Sequence, residues 1–259
     1  MKEEESINNK QVYIDNVLKP FQFIAWNNDV NIGNGYFSFF SPTNNINKLE
    51  ENTIQLLKNQ ELINDLIKEA LLESTAVLPG NDKTFFVMPL SPEDTFPIQE
   101  MEGVTGAAFS ENAVLVKIDP SFVEEALKYL VAHEYHHTVR MEEAGVMGGT
   151  LLDSFITEGQ AEVFARSVYP DKNPPWEQEP LTEETKNIIL EELTKNIDST
   201  DRDIYIDFVS GNPSKAIPTW ANYRLGYRIV ESYIENHPSV KVEQWTQLDA
   251  EEVLKGSSF

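Results

Sequence analysis

Residues 133–137 read His-Glu-Tyr-His-His, an H-E-x-x-H pattern in a chain with only four histidines. On an α-helix His133 and His137 lie one turn apart on one face, where two imidazoles can share a metal ion. Glu134 projects about 100° around the same helix. From there it reaches water at the metal without being a ligand. The chemistry implied is metal-assisted hydrolysis, with peptide hydrolysis foremost and one Zn2+ as the ion that suits imidazole and carboxylate donors.

Two histidines leave a tetrahedral ion one protein ligand short if a position stays open. A second helix, TLLDSFITEGQAEVFARSVY, is expected to start at Thr150, after Gly148 and Gly149, with Asp153 as a capping acid. Within it Leu151, Phe155, Glu158, Glu162 and Ala165 share a face. A short Gly-containing turn can bring the inner faces of two helices together. Glu158 is the expected third ligand. Glu162, one turn on, is the expected acid that orients His133. An exchange of the two roles stays open.

The histidine helix carries its own signals. Ser121 and Glu124 form an S-x-x-E capping box behind Pro120. Val123, Ala126, Leu127 and Leu130 then point in nearly the same direction as His133, Glu134 and His137, so the metal face continues a buried stripe. Tyr135 projects away from that face. His136, 100° from His137, suits the surface or a supporting contact better than ligation. Arg140 could pair with Glu162 or Glu143 or touch a substrate carboxylate, and an ion pair is the preferred reading. His237, before Pro238, is expected to cap a helix C-terminus.

HEYHH followed by TEGQAE resembles the gluzincin arrangement of zinc metallopeptidases, with H-E-x-x-H on one helix and a glutamate ligand on the next. From about Gly103 onward the chain is similar to a bacterial family of predicted zinc-dependent proteases, common in Bacillus-like organisms. The similarity is carried by GVTGAAF, HEYHHTVR, TLLDSFITEGQAE, NYRLGYRIVESYI and EEVLKGSSF. The resemblance implies an α+β, zincin-like fold, mainly helical, with a small β-sheet whose edge strand lies above the zinc. It implies that Gly103, Val104, Thr105, Gly106 and Ala107 pair with the substrate backbone by strand addition, an ordinary hairpin being the alternative. It also implies an oxyanion donor on a later helix, for which NYRLGYRIV offers Tyr223 first and Tyr227 second. Glu134 is then the general base.

The wider composition narrows the alternatives. With 43 acidic against 20 basic residues, the net charge of −23 argues against nucleic acid and anionic membranes as partners. It serves solubility, or a cleft that attracts basic peptides. The absence of cysteine excludes disulfides, thiolate zinc sites and cysteine nucleophiles. The N-terminus lacks a secretory core, so a cytoplasmic location is expected. The partner expected is a peptide or protein substrate. A non-peptide zinc amidase or esterase is one alternative, and a zinc-stabilised regulatory protein without peptidase activity is another.

Along the chain, residues 1–82 read as an N-terminal helical region and 83–259 as the catalytic domain. IDNVLKPF and INKLEENTIQLLKNQELINDLIKEALL carry helical spacing. Tyr36, Phe37, Phe39 and Phe40 between them are expected packing anchors. KTFFVMPL and NAVLVKIDP read as strands. The segment YPDKNPPWEQEPLTEETK reads as a surface loop, with helices resuming near Thr185, over Pro218–Asn236 and over Asp249–Lys255.

Overall fold

A computed structural model describes residues 11–32, 39–40, 43–145, 149–177 and 181–259. The fold is mainly helical with one three-stranded sheet, an α+β architecture. A short π-helical stretch, Ile14–Leu18, runs into α1 (Lys19–Asn27), followed by α2 (Ile46–Lys58) and α3 (Gln60–Val77). Strand β1 (Thr84–Pro89) and the short α4 (Thr95–Glu100) lead to the hairpin β2 (Val104–Ser110) and β3 (Ala113–Ile118). Then come α5 (Glu124–Ala144) and α6 (Leu151–Val168). The chain ends in α7 (Glu183–Lys195), α8 (Arg202–Ser210), α9 (Ala221–Asn236), α10 (Val242–Thr246) and α11 (Ala250–Gly256).

The sheet order is β1-β3-β2, with β1 parallel and β2 antiparallel to β3. The run Ala113–Val116 is fully buried because a central strand covered on both faces needs apolar residues throughout. Successive side chains alternate between two cores. Val114, Val116 and Ile118 pack with Ile63, Leu66 and Ile67 of α3 and with Ala126, Leu127 and Val131 of α5. Ala113 and Leu115 pack with Phe21, Ala25 and Phe40. Phe21 lies 4.8 Å from Phe40 and 4.7 Å from Phe86, so Phe40 is a packing anchor as the sequence suggests, and Phe39 meets Phe109 at 5.3 Å. Tyr36 and Phe37, like Gly148 and residues 178–180 of the proline-rich loop, lie outside the described residues.

A third core surrounds α6, where Phe155, Ile156 and Phe164 meet Ile189, Leu225 and Ile229. Helix α5 also faces it, through Tyr135 and Val139. The sequence suggests one buried stripe on α5, yet every residue from Val131 to Arg140 is buried. Placed between the sheet side and the helical side, the helix has no solvent face there. The Ser121–Glu124 capping box does not form. Ser121 instead donates twice to Asp119, and α5 starts two residues later, from Val123, without a side-chain cap. The Thr150–Asp153 box does form and starts α6. His237 ends α9 and stacks on Tyr233. Helices α4, α8 and α10 were not expected from the sequence; they run only 6, 9 and 5 residues, too short to set a clear period. Among the described residues no helix is long and apolar enough to cross a membrane.

Helices α6 and α9 touch through backbone. A Cβ on Gly226 would fall on the carbonyl oxygen of Phe155, and one on Gly159 would fall on the carbonyl of Gly226. Replacing Gly226 by Ala should therefore destabilise the fold by about 1–3 kcal/mol, although alanine is the better helix former. Urea denaturation measures this; unchanged or raised stability would show that the helices can part without cost.

Candidate metal centre

Helix α5 supplies His133 and His137, whose facing Nε2 atoms are 3.0 Å apart. Helix α6 supplies Glu158, whose Oε2 lies 3.3 Å from His133 Nε2 and 3.6 Å from His137 Nε2. A tetrahedral ion with ligand bonds of 2.0–2.1 Å has ligand–ligand edges of about 3.3 Å, close to this triangle. The three residues thus form a group that could hold a metal ion. The ion pairs to the histidines are too long or too oblique to satisfy Glu158 Oε2, which is buried without a hydrogen-bond partner. A buried carboxylate oxygen left in this way suits a cation. The donor set of two imidazoles and one carboxylate fits zinc.

Charge inside the cluster is balanced locally. Burial pulls the His133 imidazolium down, but the adjacent carboxylates of Glu158 and Glu162 outweigh it and hold its pKa well above the ordinary value. Burial raises the Glu158 carboxyl, but the two facing histidines, His137 first, bring it below the usual range. Glu162 does not join the triangle. Its Oε1 lies 2.9 Å from His133 Nδ1, and its Oε2 accepts from the Tyr129 hydroxyl at 2.7 Å. Tyr129 escapes a reading of the sequence because it sits one turn before His133 in an ordinary apolar pattern.

Glu134 is buried on the sheet side of α5, against β2. Its Oε2 accepts the backbone N–H of Ala108 at 2.8 Å. A Cβ on Gly106 would come within 3.1 Å of Glu134 Cγ, so this glycine makes room for the carboxylate. Burial raises the Glu134 pKa above its ordinary value. Strand β2 is an edge strand and a hairpin arm at once. Because the Ala108 N–H points away from β3, antiparallel alternation turns the amide groups of Gly106 outward too, and those of Thr105 and Ala107 toward β3. Gly103 is not part of the strand. It adopts φ +80° in the preceding turn, donates to Pro97 and accepts from Asp119. The Val104 N–H is taken by Met101, which leaves its carbonyl.

Tyr223, on α9, stacks on His133 with ring centroids 6.0 Å apart. Burial, then the charge of Glu158, raises its pKa well above 10, so it stays a hydroxyl donor. Tyr227 is directed elsewhere. Its hydroxyl donates to Glu231 at 2.8 Å, and its ring packs on Trp176 and the guanidinium of Arg166. Tyr205, on the unforeseen helix α8, is close enough to Glu158 to feel its charge; burial and that charge push its pKa up to about 12.

Two expectations for α5 are corrected. His136 is fully buried rather than superficial. It stacks on Trp245 and meets Thr246 Oγ1 at 3.2 Å. Thr246 spends its own proton on Val242, so His136 Nε2 is the donor. Burial keeps this imidazole neutral. Arg140 pairs with neither Glu162 nor Glu143. It donates to the carbonyls of Thr246, at 2.5 Å, and Leu248, at 3.1 Å, at the C-terminal end of α10. Both partners are more than a hundred residues away, beyond the reach of local spacing.

Residues 63–255 match the family described as "Predicted Zn-dependent protease (DUF2268)", a span that contains the whole cluster. The chain belongs to this predicted zinc-dependent protease family. No curated protein and no solved structure matches it. Within the protease family's matched span lie both metal-site helices and α9 with Tyr223.

Since Glu162 fixes the ring of His133, replacing it by Ala should lower zinc affinity by about 10–100-fold. A competition titration with a chelator of known affinity reads this. Wild-type affinity in the variant would mean that the Glu162–His133 contact does not support the metal.

Proposed function

We propose that this chain is a zinc metallopeptidase of gluzincin type that hydrolyses peptide bonds in peptide or protein substrates. The observation that carries the proposal is the pairing of a three-donor face with a separate acid. His133, His137 and Glu158 converge within 4.8 Å, while Glu134 stands beside them and outside the ligand set. A purely structural site has no need of such an acid and tends to fill its fourth position. When bound, zinc supplies a Lewis acid and makes water acidic enough to ionise near neutral pH.

The remaining work falls to side chains. The Ala108 amide holds one oxygen of Glu134 and leaves Oε1 free to take a proton from the attacking water. The same oxygen can return that proton to the leaving amine. The raised pKa of Glu134 suits a group that must first accept and then donate. Tyr223 is the proposed donor to the oxyanion, since its ring is fixed against His133 and its hydroxyl stays protonated. The outward amide groups of Gly106 are the proposed contacts for the substrate backbone. Arg140 and Tyr227 take no part, being committed elsewhere.

In the zinc-loaded protein, Glu134→Gln should retain the metal and lower kcat on a peptide substrate by roughly 10²–10⁴-fold. Full activity in that variant would remove Glu134 from the mechanism. Tyr223→Phe should lower kcat by about 10²–10³-fold with little change in KM. An unchanged kcat would transfer the oxyanion role away from this residue.

A further inference from the structure

A cavity of about 120 Å³ opens beside the candidate centre, with His133, Glu134 and Tyr223 in its lining. That is space for about four waters, or one large side chain. Its further walls are apolar: Val104 from β2, Ala126 and Leu130 from α5, Pro175 and Trp176 from the loop after α6, and Trp220. Leu130 and Ala126 lie about one and two turns before His133, so the cavity extends about 10 Å along α5 from the reacting centre. The charged groups away from the reacting centre are already matched: Glu162 is held by His133 and Tyr129, and Glu102 by Lys172. Glu134, at the metal end, is the acid that the proposed mechanism uses. Beyond it a charged guest would find no free counter-charge, whereas an apolar one would be shielded from water.

The backbone around the cavity is strained. Among the described residues, four other than glycine have positive φ, and two of them, Glu102 at +55° and Trp220 at +58°, line this cavity. The left-handed region is costly for a residue as bulky as tryptophan, and such strain gathers at functional sites. Local contacts hold Trp220 there. Its N–H donates to Val209 at 2.9 Å and its ring packs on Phe96 at 5.2 Å. The Glu102–Lys172 ion pair ties the turn before β2 to the proline-containing loop and closes that part of the wall.

We propose that this cavity is a side-chain subsite that selects a bulky apolar residue, aromatic or leucine-like, next to the bond that is cleaved, and that Trp220 determines the selectivity. The assignment rests on the metallopeptidase reading. It makes the chain's acidic surface secondary to an apolar contact in the choice of cleavage site.

The test is a digest of a mixed peptide library by the zinc-loaded full chain, with cleavage sites read by mass spectrometry. One position flanking the cut should be enriched in Phe, Leu, Met or Trp by at least about tenfold over Gly, Asp or Lys. Trp220→Gly should reduce that enrichment to within a few fold, and Leu130→Trp, which fills the cavity from α5, should do the same if the glycine variant does not fold. Independently of activity, Trp220→Gly should melt at a higher temperature than Trp220→Ala, because both lose the indole and only glycine relieves the φ strain. Cleavage without apolar preference at either flanking position, or full preference in both variants, would overturn the subsite while leaving the peptidase reading intact. Equal melting of the glycine and alanine variants would remove the strain argument for Trp220. No cleavage by the zinc-loaded wild type would end the peptidase reading and the subsite with it.

Discussion

Three glutamates, Glu134, Glu158 and Glu162, are held out of water around two imidazoles. Carboxylates so buried are stable only beside positive charge or strong donors. Each finds a different answer. Glu162 is shared between His133 and Tyr129, Glu134 takes an amide from the sheet edge, and Glu158 faces both histidines with one oxygen lacking a hydrogen bond. Only the last arrangement is incomplete without a cation. That difference is the basis for the proposed division of three side chains of one chemical type into a ligand, an orienting acid and a base.

The frame serves this arrangement by removing freedom. Helix α5 is enclosed on all sides over its central turns, so its histidines cannot swing to solvent. Gly159 and Gly226 let α6 and α9 approach to backbone contact, which brings Glu158 and Tyr223 to the same place. Gly106 does the same between β2 and α5 for Glu134. His136 and Arg140, on the other side of α5, fasten the helix to α10 and the turn after it. The face of α5 that turns away from the metal donors is therefore structural in its own right.

How much of this could be read from the sequence depends on distance along the chain. Contacts made at i+3 or i+4 were legible. The pairing of His133 with His137, the placing of Glu162 one turn beyond Glu158, and the Thr150–Asp153 cap all follow from helical period. The central strand was legible because Ala113–Val116 is a continuous apolar run bounded by turn and polar residues. What was not legible is set by tertiary partners. Ser121 had a nearer acceptor in Asp119 than the helix it was expected to cap. Arg140 found carbonyls over a hundred residues away rather than a nearby acid. Tyr223 and Tyr227 are equivalent in the sequence, and only the packing of α9 turns one toward His133 and the other toward Glu231. Gly106 suggested an approach by substrate, and the first group it admits is the protein's own Glu134.

The family to which the chain belongs is described by its expected zinc dependence, and the structure supplies a donor set of matching kind. The account stands or falls on whether those donors take up a metal together. Zinc X-ray absorption on protein purified without chelators tests this most directly. The account predicts one zinc per chain in a shell of nitrogen and oxygen at about 2.0–2.1 Å, with the scattering signature of two imidazoles. Absence of stoichiometric zinc, or a shell that keeps both imidazoles when His137 is replaced by Ala, would contradict it.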